Sequence, residues 1–448
     1  MKNMRPLPLA AALVLALGGT ARAEGLTELY EAAKAYDATW QSARSQYEAN
    51  LARAAQARAG ILPQAGLSAG VARNNVVTEV GSTAVQPGFT TDRDFTTQQG
   101  TVSASQPLYR PANLATYRQG ERQMELAEYQ LVAAGQDLMI RVSQAYFDVL
   151  AAQDTLAFVR AQKAATAEQL ASAKRNFEVG TSTITDTREA QARFDLVLAQ
   201  EIAAENDLRV KRLALDTLVG KTDTQPNPVN APVAVPPAQP VDAEAWVAAS
   251  ENASPAILQA KKAVEVAELE TEKAKAGHKP TLDLTSSYGF NKNIGASPVI
   301  AADSKTTTGT VGLAFNLPLF AGFATQNRIR ETLALEEKAR TDLEGTRRQV
   351  AQAVRTAFFG VQSGYGQVRA LEAAEASSQS ALDANRLGYQ VGVRINIDVL
   401  NAQSQLFQTK RDLAQARYNV LLGHLRLRQA NGTLQPDDLA RMNTLLVP

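Results

Sequence analysis

Residues that ordinarily do covalent chemistry are scarce in this chain. Its 448 residues include no cysteine and only two histidines, His278 and His424. Without cysteine there is no disulfide framework, thiolate nucleophile or thiolate metal site. Two histidines far apart in sequence do not make a metal centre. No Ser/His/Asp constellation and no glycine-rich phosphate loop occurs either. Catalytic residues, a resident metal and a cofactor are therefore all expected to be absent, and an enzyme is a poor reading. Lys and Arg number 46 against 45 Asp and Glu, a net charge of +1, so no overall field favours nucleic acid. His278 reads as a helix C-cap or surface residue and His424 as a packing or surface residue. Arg347-Arg348 and Arg426/Arg428 read as solvated helix faces.

What the chain does offer is a pair of related turns. Asn176-Phe177-Glu178-Val179-Gly180 is followed by Ile184-Thr185-Asp186. Gly388-Tyr389-Gln390-Val391-Gly392 is followed by Ile397-Asp398-Val399-Leu400-Asn401-Ala402. Gly180 and Gly392 permit the left-handed backbone that ends a helix. Asp186 and Asp398 are well placed to cap the helix that follows.

These turns belong to an internal duplication with a shift of 212 residues. Ala145-Tyr146-Phe147 lies over Ala357-Phe358-Phe359, Asp186 over Asp398, and Gly220 over Gly432. Residues 24–220 and 242–448 are read as two repeats, joined by a stiff linker at 221–241 that holds Pro226, Pro228, Pro232, Pro236, Pro237 and Pro240. Each repeat orders a helix, a β-hairpin, a very long helix and a further helix. Thr27–Ala59 is rich in helix formers and stops at Pro63. The hairpins fall at about 66–106 and 281–317, with a polar loop over Asn74–Thr97 in the first. Leu282, Leu284, Tyr288 and Phe290 share one parity, as do Val311, Leu313, Phe315 and Leu317. Strands of roughly ten residues are what a tilted membrane strand needs. From Pro111 to about Glu178 there is no further proline, enough for a helix of about 100 Å. Leu138, Val142, Ala145, Val149, Ala152, Leu156 and Val159 form a coiled-coil seam, and Val399, Leu406, Leu413, Val420 and Leu427 a second. Gly360, Gly364 and Gly366 within the other long helix suggest a bend or a close approach.

Residues 1–23 read as a signal peptide. Lys2 and Arg5 precede the apolar run Leu9–Leu17, and Ala21-Arg22-Ala23 supplies a cleavage site. Nothing later resembles a transmembrane helix, so a membrane crossing requires a closed β-barrel. Four strands are too few, since the smallest such barrels have about eight. Either the strands stay out of the membrane or several chains pool them; three chains would supply twelve.

With these features the chain resembles the TolC family of outer-membrane channel-tunnel proteins. The resemblance spans the mature chain and rests on the duplicated helix–hairpin–helix order and the two turn motifs. It implies a mainly α fold with a membrane β-barrel: a homotrimer whose twelve-stranded barrel in outer-membrane lipid continues as a helical tunnel across the periplasm. It implies an exit duct for tripartite efflux or type I secretion, whose partners are a periplasmic adaptor (membrane fusion protein) and an inner-membrane transporter, with no nucleic acid. By position, Tyr389 and Arg394 would bond Thr185 and Asp186 to hold the periplasmic entrance shut. Asp398 would form an acidic ring in the lumen. Where the family pattern has a second Asp one turn on, this chain has Asn401, so the ring carries less charge. Two other readings are a periplasmic coiled-coil adaptor and a structural envelope protein without a channel. No block of short strands of the adaptor kind is present.

Overall fold

The computed structural model describes residues 24–85, 87–229, 239–295 and 302–446. The segment 1–23, read as a signal peptide, lies outside the described residues, as do Pro232, Pro236 and Pro237 of the linker. The first half runs α1 (Leu26–Tyr36), α2 (Ala38–Ala59), β1 (Gln64–Val80), β2 (Phe89–Tyr109), α3 (Pro111–Glu178) and α4 (Ile184–Val219). The second runs α5 (Ala243–Ala253), α6 (Pro255–Lys275), β3 (Thr281–Ile294), β4 (Ser304–Asn316), α7 (Ala324–Gln390) and α8 (Asn396–Asn431), followed by α9 (Pro436–Asn443). Proline opens α3, α6 and α9, where its missing N–H costs no helical bond.

The long helices hold 68 residues in α3 and 67 in α7, each about 100 Å at 1.5 Å per residue. Helix α4 packs along α3, α8 packs along α7, and α6 lies against both long helices. The seam residues Leu138, Val142, Val149, Leu156 and Val159 are buried, as are Val399, Leu406, Leu413, Val420 and Leu427. The largest core sits at the waist, where Leu26 and Leu29 of α1 meet Leu138, Tyr146 and Leu150 of α3, Leu215 of α4, Leu425 of α8 and Leu439 of α9.

The four strands form one antiparallel sheet in the order β1-β2-β3-β4, which leaves an outer edge on β1 and on β4. Register sorts its faces. Leu67 pairs with Val102, which pairs with Tyr288. Leu284 pairs with Leu313, and Leu282 with Phe315. These residues share one face, and they are left bare, with Leu67 77% and Val311 75% exposed. The alternate positions pair Ser68 with Thr101, Ser103 with Ser287, and Asn291 with Thr306. The sheet is therefore apolar on one side and hydroxyl- and amide-rich on the other. The apolar face ends at the pair Lys292–Lys305, where the Lys305 ammonium lies 5.6 Å over the Phe290 ring. The eight-residue step from Leu282 to Phe290 along β3 amounts to about 26 Å of strand.

Two sequence expectations change. Most of Asn74–Thr97 is strand rather than loop, because β1 has 17 residues and β2 has 21. Asn74, Thr97 and Asn293 bond one another side by side at 2.9 Å, so a polar ladder extends the hairpin beyond its apolar part. Thr27–Ala59 is two helices, because Asp37 breaks it. The Asp37 carboxylate accepts from the Trp40 N–H at 2.7 Å and so caps α2. It also takes two bonds from the Arg141 guanidinium of α3, at 2.9 and 3.0 Å. Arg141 chiefly, with burial opposing and the Trp40 N–H assisting, holds this carboxyl below its usual range.

Because the folded-state value is depressed, the stabilisation by Asp37 is fully present above the unfolded carboxyl's pKa of about 3.9 and is lost as pH falls through the folded value. Asp37→Ala should cost about 2 kcal/mol at pH 7. The gap in melting temperature from wild type should narrow as unfolding is followed below the unfolded carboxyl's value of about 3.9; a gap that stays constant with falling pH would mean the carboxylate is not the source.

Candidate functional site

The chemistry-bearing turns lie together at the end of the helical bundle remote from the sheet, as the lengths of α3 and α7 require. Each turn is built the same way. Helix α3 ends with Gly180 at φ +77° and α7 with Gly392 at φ +82°. The next N–H reaches back five residues, Thr181 to the Asn176 carbonyl at 2.8 Å and Val393 to the Gly388 carbonyl at 2.9 Å. Both are Schellman closures, which need a residue tolerant of positive φ.

The helices that follow start differently. Thr183 caps α4, its hydroxyl accepting from the Asp186 N–H at 3.2 Å. The Asp186 carboxylate reciprocates by accepting from the Thr183 N–H at 2.9 Å, the Thr183 hydroxyl at 2.7 Å and the Ser182 hydroxyl at 2.9 Å. Asp186 is thus the third-position partner of a capping box rather than the cap itself. Burial would raise its carboxyl, but these bonds outweigh it and hold it below its ordinary value. Helix α8 has Ile395 at its cap position and no side-chain cap. Asp398 there points back to Arg394, with 3.7 Å between charged atoms. Arg394 can lie against the helix end because residue 388 is glycine; a Cβ there would stand 2.6 Å from Arg394 Cγ.

Among the described residues, no bond within the chain joins Tyr389 or Arg394 to Thr185 or Asp186. Thr185 is exposed. The bonds that do cross between the two coils involve other residues. Asn176 Nδ2 donates to the Tyr389 hydroxyl at 3.2 Å. Asn396, 0% exposed, accepts from the Gln169 amide and donates to the Asp186 carbonyl at 3.1 Å. Arg193 donates to Asn401 Oδ1 at 2.9 Å. Leu400 of α8 completes the crossing by packing with Leu170 and Ala173 of α3 and Ala190 of α4. Sequence reasoning quoted Asn176 only as part of the first turn and missed Asn396 and Arg193. The one available signal was Asn396, a polar residue where the duplication sets Ile184.

Around these turns six large apolar side chains face outward: Phe177, Val179 and Ile184 on the first, Val391, Val393 and Ile395 on the second. The site combines interlocked coil ends, a charge pair beside an amide–guanidinium pair, and a bare apolar tip. Nothing in it resembles a reaction centre.

A family model described as outer membrane efflux protein matches residues 29–221 and 246–433. The chain belongs to the outer membrane efflux protein family. It is 32% identical to the outer membrane protein TolC of Vibrio cholerae over 99% of this chain and 98% of that protein. It is 33% identical to the alkaline protease secretion protein AprF of Pseudomonas aeruginosa, over 96% and 88%. Among solved structures, the outer membrane protein VceC from Vibrio cholerae superposes with a TM-score of 0.77 at 20% identity, covering 91% of this chain and 96% of that one. CusC gives 0.78 at 18%, covering 92% of each. As a member of this family the chain is an exit channel of the outer membrane for efflux or type I secretion; the adaptor and the channel-free envelope readings are set aside.

The remaining sequence candidates have structural posts. His424 is half-buried against α7, with its Nε2 2.6 Å from the Tyr365 hydroxyl. Burial first and Arg428 second push its pKa down to about 4. Arg347 and Arg428 are not merely solvated. Arg347 bonds Glu251 at 3.1 and 2.8 Å, and Arg428 pairs with buried Asp438 at 2.8 Å. Gly364 is a close approach, since a Cβ there would stand 2.8 Å from Val420 Cγ2, whereas Gly360 and Gly366 face open space.

Asn396→Leu should keep the fold but strip both crossing bonds, loosening the tip by about 2 kcal/mol. Amide exchange over residues 183–190 and 393–400 should then quicken roughly thirtyfold; unchanged exchange would leave Asn396 a packing residue only.

Proposed function

We propose that three copies of the chain close edge to edge into a twelve-stranded barrel in the outer membrane, continued by a helical tunnel in the periplasm. The observation that carries this is the sheet: its bare apolar face, its polar opposite face and the two outer strand edges within one chain. In hydrocarbon an unpaired strand edge is untenable, so β1 must pair with the next copy's β4. The apolar stretch of about 26 Å from Leu282 to Phe290, just short of the Lys292–Lys305 pair, matches the height of a barrel's lipid belt. The polar face then lines the lumen. The helical flanks favour the same closure, since Leu333 and Leu335 on α7 and Ile202 and Leu213 on α4 are exposed.

In this assembly the tips form the periplasmic entrance, and Tyr389, Arg394, Thr185 and Asp186 meet across neighbouring coils to hold it closed. Asp398 faces the lumen as a ring whose charge Arg394 partly offsets, and Arg193 holds Asn401. The exposed Val179, Val391 and Val393 are the apolar surface for a periplasmic adaptor, which links the tunnel to an inner-membrane transporter. Cargo of either class, small molecule or protein, moves through passively.

Light scattering on detergent-purified protein should give a homotrimer, and the trimer should conduct in a planar bilayer. A monodisperse monomer that still conducts would overturn the closure. Arg394→Ser with Tyr389→Phe should raise conductance, each lost bond being worth about 1 kcal/mol. The Arg394→Ser change alone should sharpen cation preference by uncovering Asp398, and Asp398→Ala should abolish it. Asn401→Asp should alter selectivity little, because Arg193 waits to pair with the new carboxylate. Cation preference identical in wild type, Arg394→Ser and Asp398→Ala would remove Asp398 from the constriction.

A further inference from the structure

Four of the seven buried side-chain atoms that lack a hydrogen-bond partner among the described residues belong to two short segments, 24–27 and 224–227, that run side by side at the waist. They are Glu24 Oε2, Thr27 Oγ1, Thr224 Oγ1 and Asn227 Oδ1. Thr224 is 4% and Asn227 8% exposed. An unmet buried acceptor costs about 1–3 kcal/mol, so such clustering calls for a donor. Glu24 lies alongside this segment. Its N–H donates to the Gln225 carbonyl at 2.8 Å, and its carbonyl accepts from the Asn227 N–H at 3.1 Å, a parallel bridge centred on Pro226.

We propose that the α-ammonium released at Glu24 by cleavage after Ala23 is a structural ligand of this site. Hydrolysis puts the water's hydroxyl on the Ala23 carbonyl carbon and its proton on the Glu24 nitrogen, which takes one more proton from solvent. An amide nitrogen has one hydrogen, already spent on Gln225. The ammonium has three, and a full charge, so cleavage adds two donors where acceptor oxygens are in excess. The surrounding charges favour a cation. Glu24, Glu28 and Asp216 are the nearby carboxylates. Glu28 accepts from the Gly25 N–H at 3.3 Å. Asp216 receives the Asp223 and Thr224 N–H groups at 3.0 Å each. Two cations face the segment, Lys221 at 2.7 Å from Glu24 Oε1 and Arg212 at 4.0 Å from Asp223; Glu24 Oε2 is left to the ammonium. The Tyr146 hydroxyl is engaged by the Asn227 carbonyl at 2.7 Å.

The site joins three parts of the chain. The linker that would hold the ammonium also pairs Val229 with Leu446, and the Leu26 N–H donates to Asn443 Oδ1 at 2.9 Å. The mature amino terminus, the linker and the carboxyl-terminal segment therefore lock together, and only the exported, processed chain makes the full set. This inference rests on the reading of residues 1–23 as a removable signal peptide and is independent of the channel's trimeric closure.

The test uses protein purified from the outer membrane. Its intact mass should correspond to a chain beginning at Glu24; any other start overturns the proposal. An aldehyde reagent selective for α-amines should label the folded protein about tenfold more slowly than the denatured protein. Thr224→Val with Asn227→Leu should restore fast labelling, and Lys221→Ala should not. An alanine inserted between Ala23 and Glu24, which keeps the charge but displaces it, should lower the melting temperature. Equal labelling of folded and denatured protein, or an unchanged melting temperature in the insertion variant, would show the ammonium to be undocked. Conductance measured on the same samples separates this failure from failure of the channel reading.

Discussion

The unmet backbone groups along β1 and β4 are the constraint from which the rest of the architecture follows. In water a bare strand edge is a nuisance; in hydrocarbon each unpaired N–H or carbonyl costs several kcal/mol. A sheet of four strands with an apolar outer face has no stable form there except as part of a closed ring. Closing the proposed ring with other copies would fix the spacing of whatever continues from each strand. The connections are short. Only Arg110 separates the end of β2 at Tyr109 from the start of α3 at Pro111, and Lys279-Pro280 separates the turn at His278 from β3. In the proposed ring the helices would inherit the circular arrangement of the strands.

That inheritance needs a rigid joint. Arg110, between β2 and α3, forms two parallel bonds with Asp283 of β3, at 2.7 and 2.6 Å. The two repeats are thereby tied at the level where strand becomes helix, by the planar fork that suits a carboxylate. Gln106 adds a bond to the Ile61 carbonyl at 3.1 Å, which ties β2 to the end of α2. With the junction held, the coiled-coil seams carry order down to the tips about 100 Å away.

Long regular elements were legible in the sequence because their signal is repetitive. The helix from Pro111 to Glu178 is the case in point, since a seam at steps of four and three cannot be satisfied by another conformation. Gly180 and Gly392 were legible because a positive φ after a helix has few alternatives to glycine. The break at Asp37 was not, because it depends on Arg141, about a hundred residues away. The strand extension over Asn74–Val80 escaped for a related reason. Its stabilising contacts are cross-strand amides, which in sequence resemble a loop. At the tip the residue types were recognised but the partners within the chain were not. Asn176 lies within the first turn motif while Asn396 and Arg193 lie outside the quoted motifs, and only the packing of the coils says which of these side chains meet.

The two tips are also unequal in how they are held, and the inequality bears on how the coils can part. Helix α4 begins with its own reciprocal cap, Thr183 with Asp186, so its first turn survives separation from its neighbour. Helix α8 begins without one. Its first residue, Asn396, is instead fastened to Gln169 and to the Asp186 carbonyl of the other coil. Pulling the coils apart would thus expose an uncapped α8 terminus and uncover Leu400, which packs on Leu170 and Ala190. By contrast α7 reaches the first coil at the tip through the Tyr389–Asn176 bond. The weaker attachment lies on the α7 side. A displacement that swings the end of α7 while α8 remains seated breaks that one bond between the repeats, but it also parts Leu382 and Tyr389 of α7 from Val399 and Leu406 of α8.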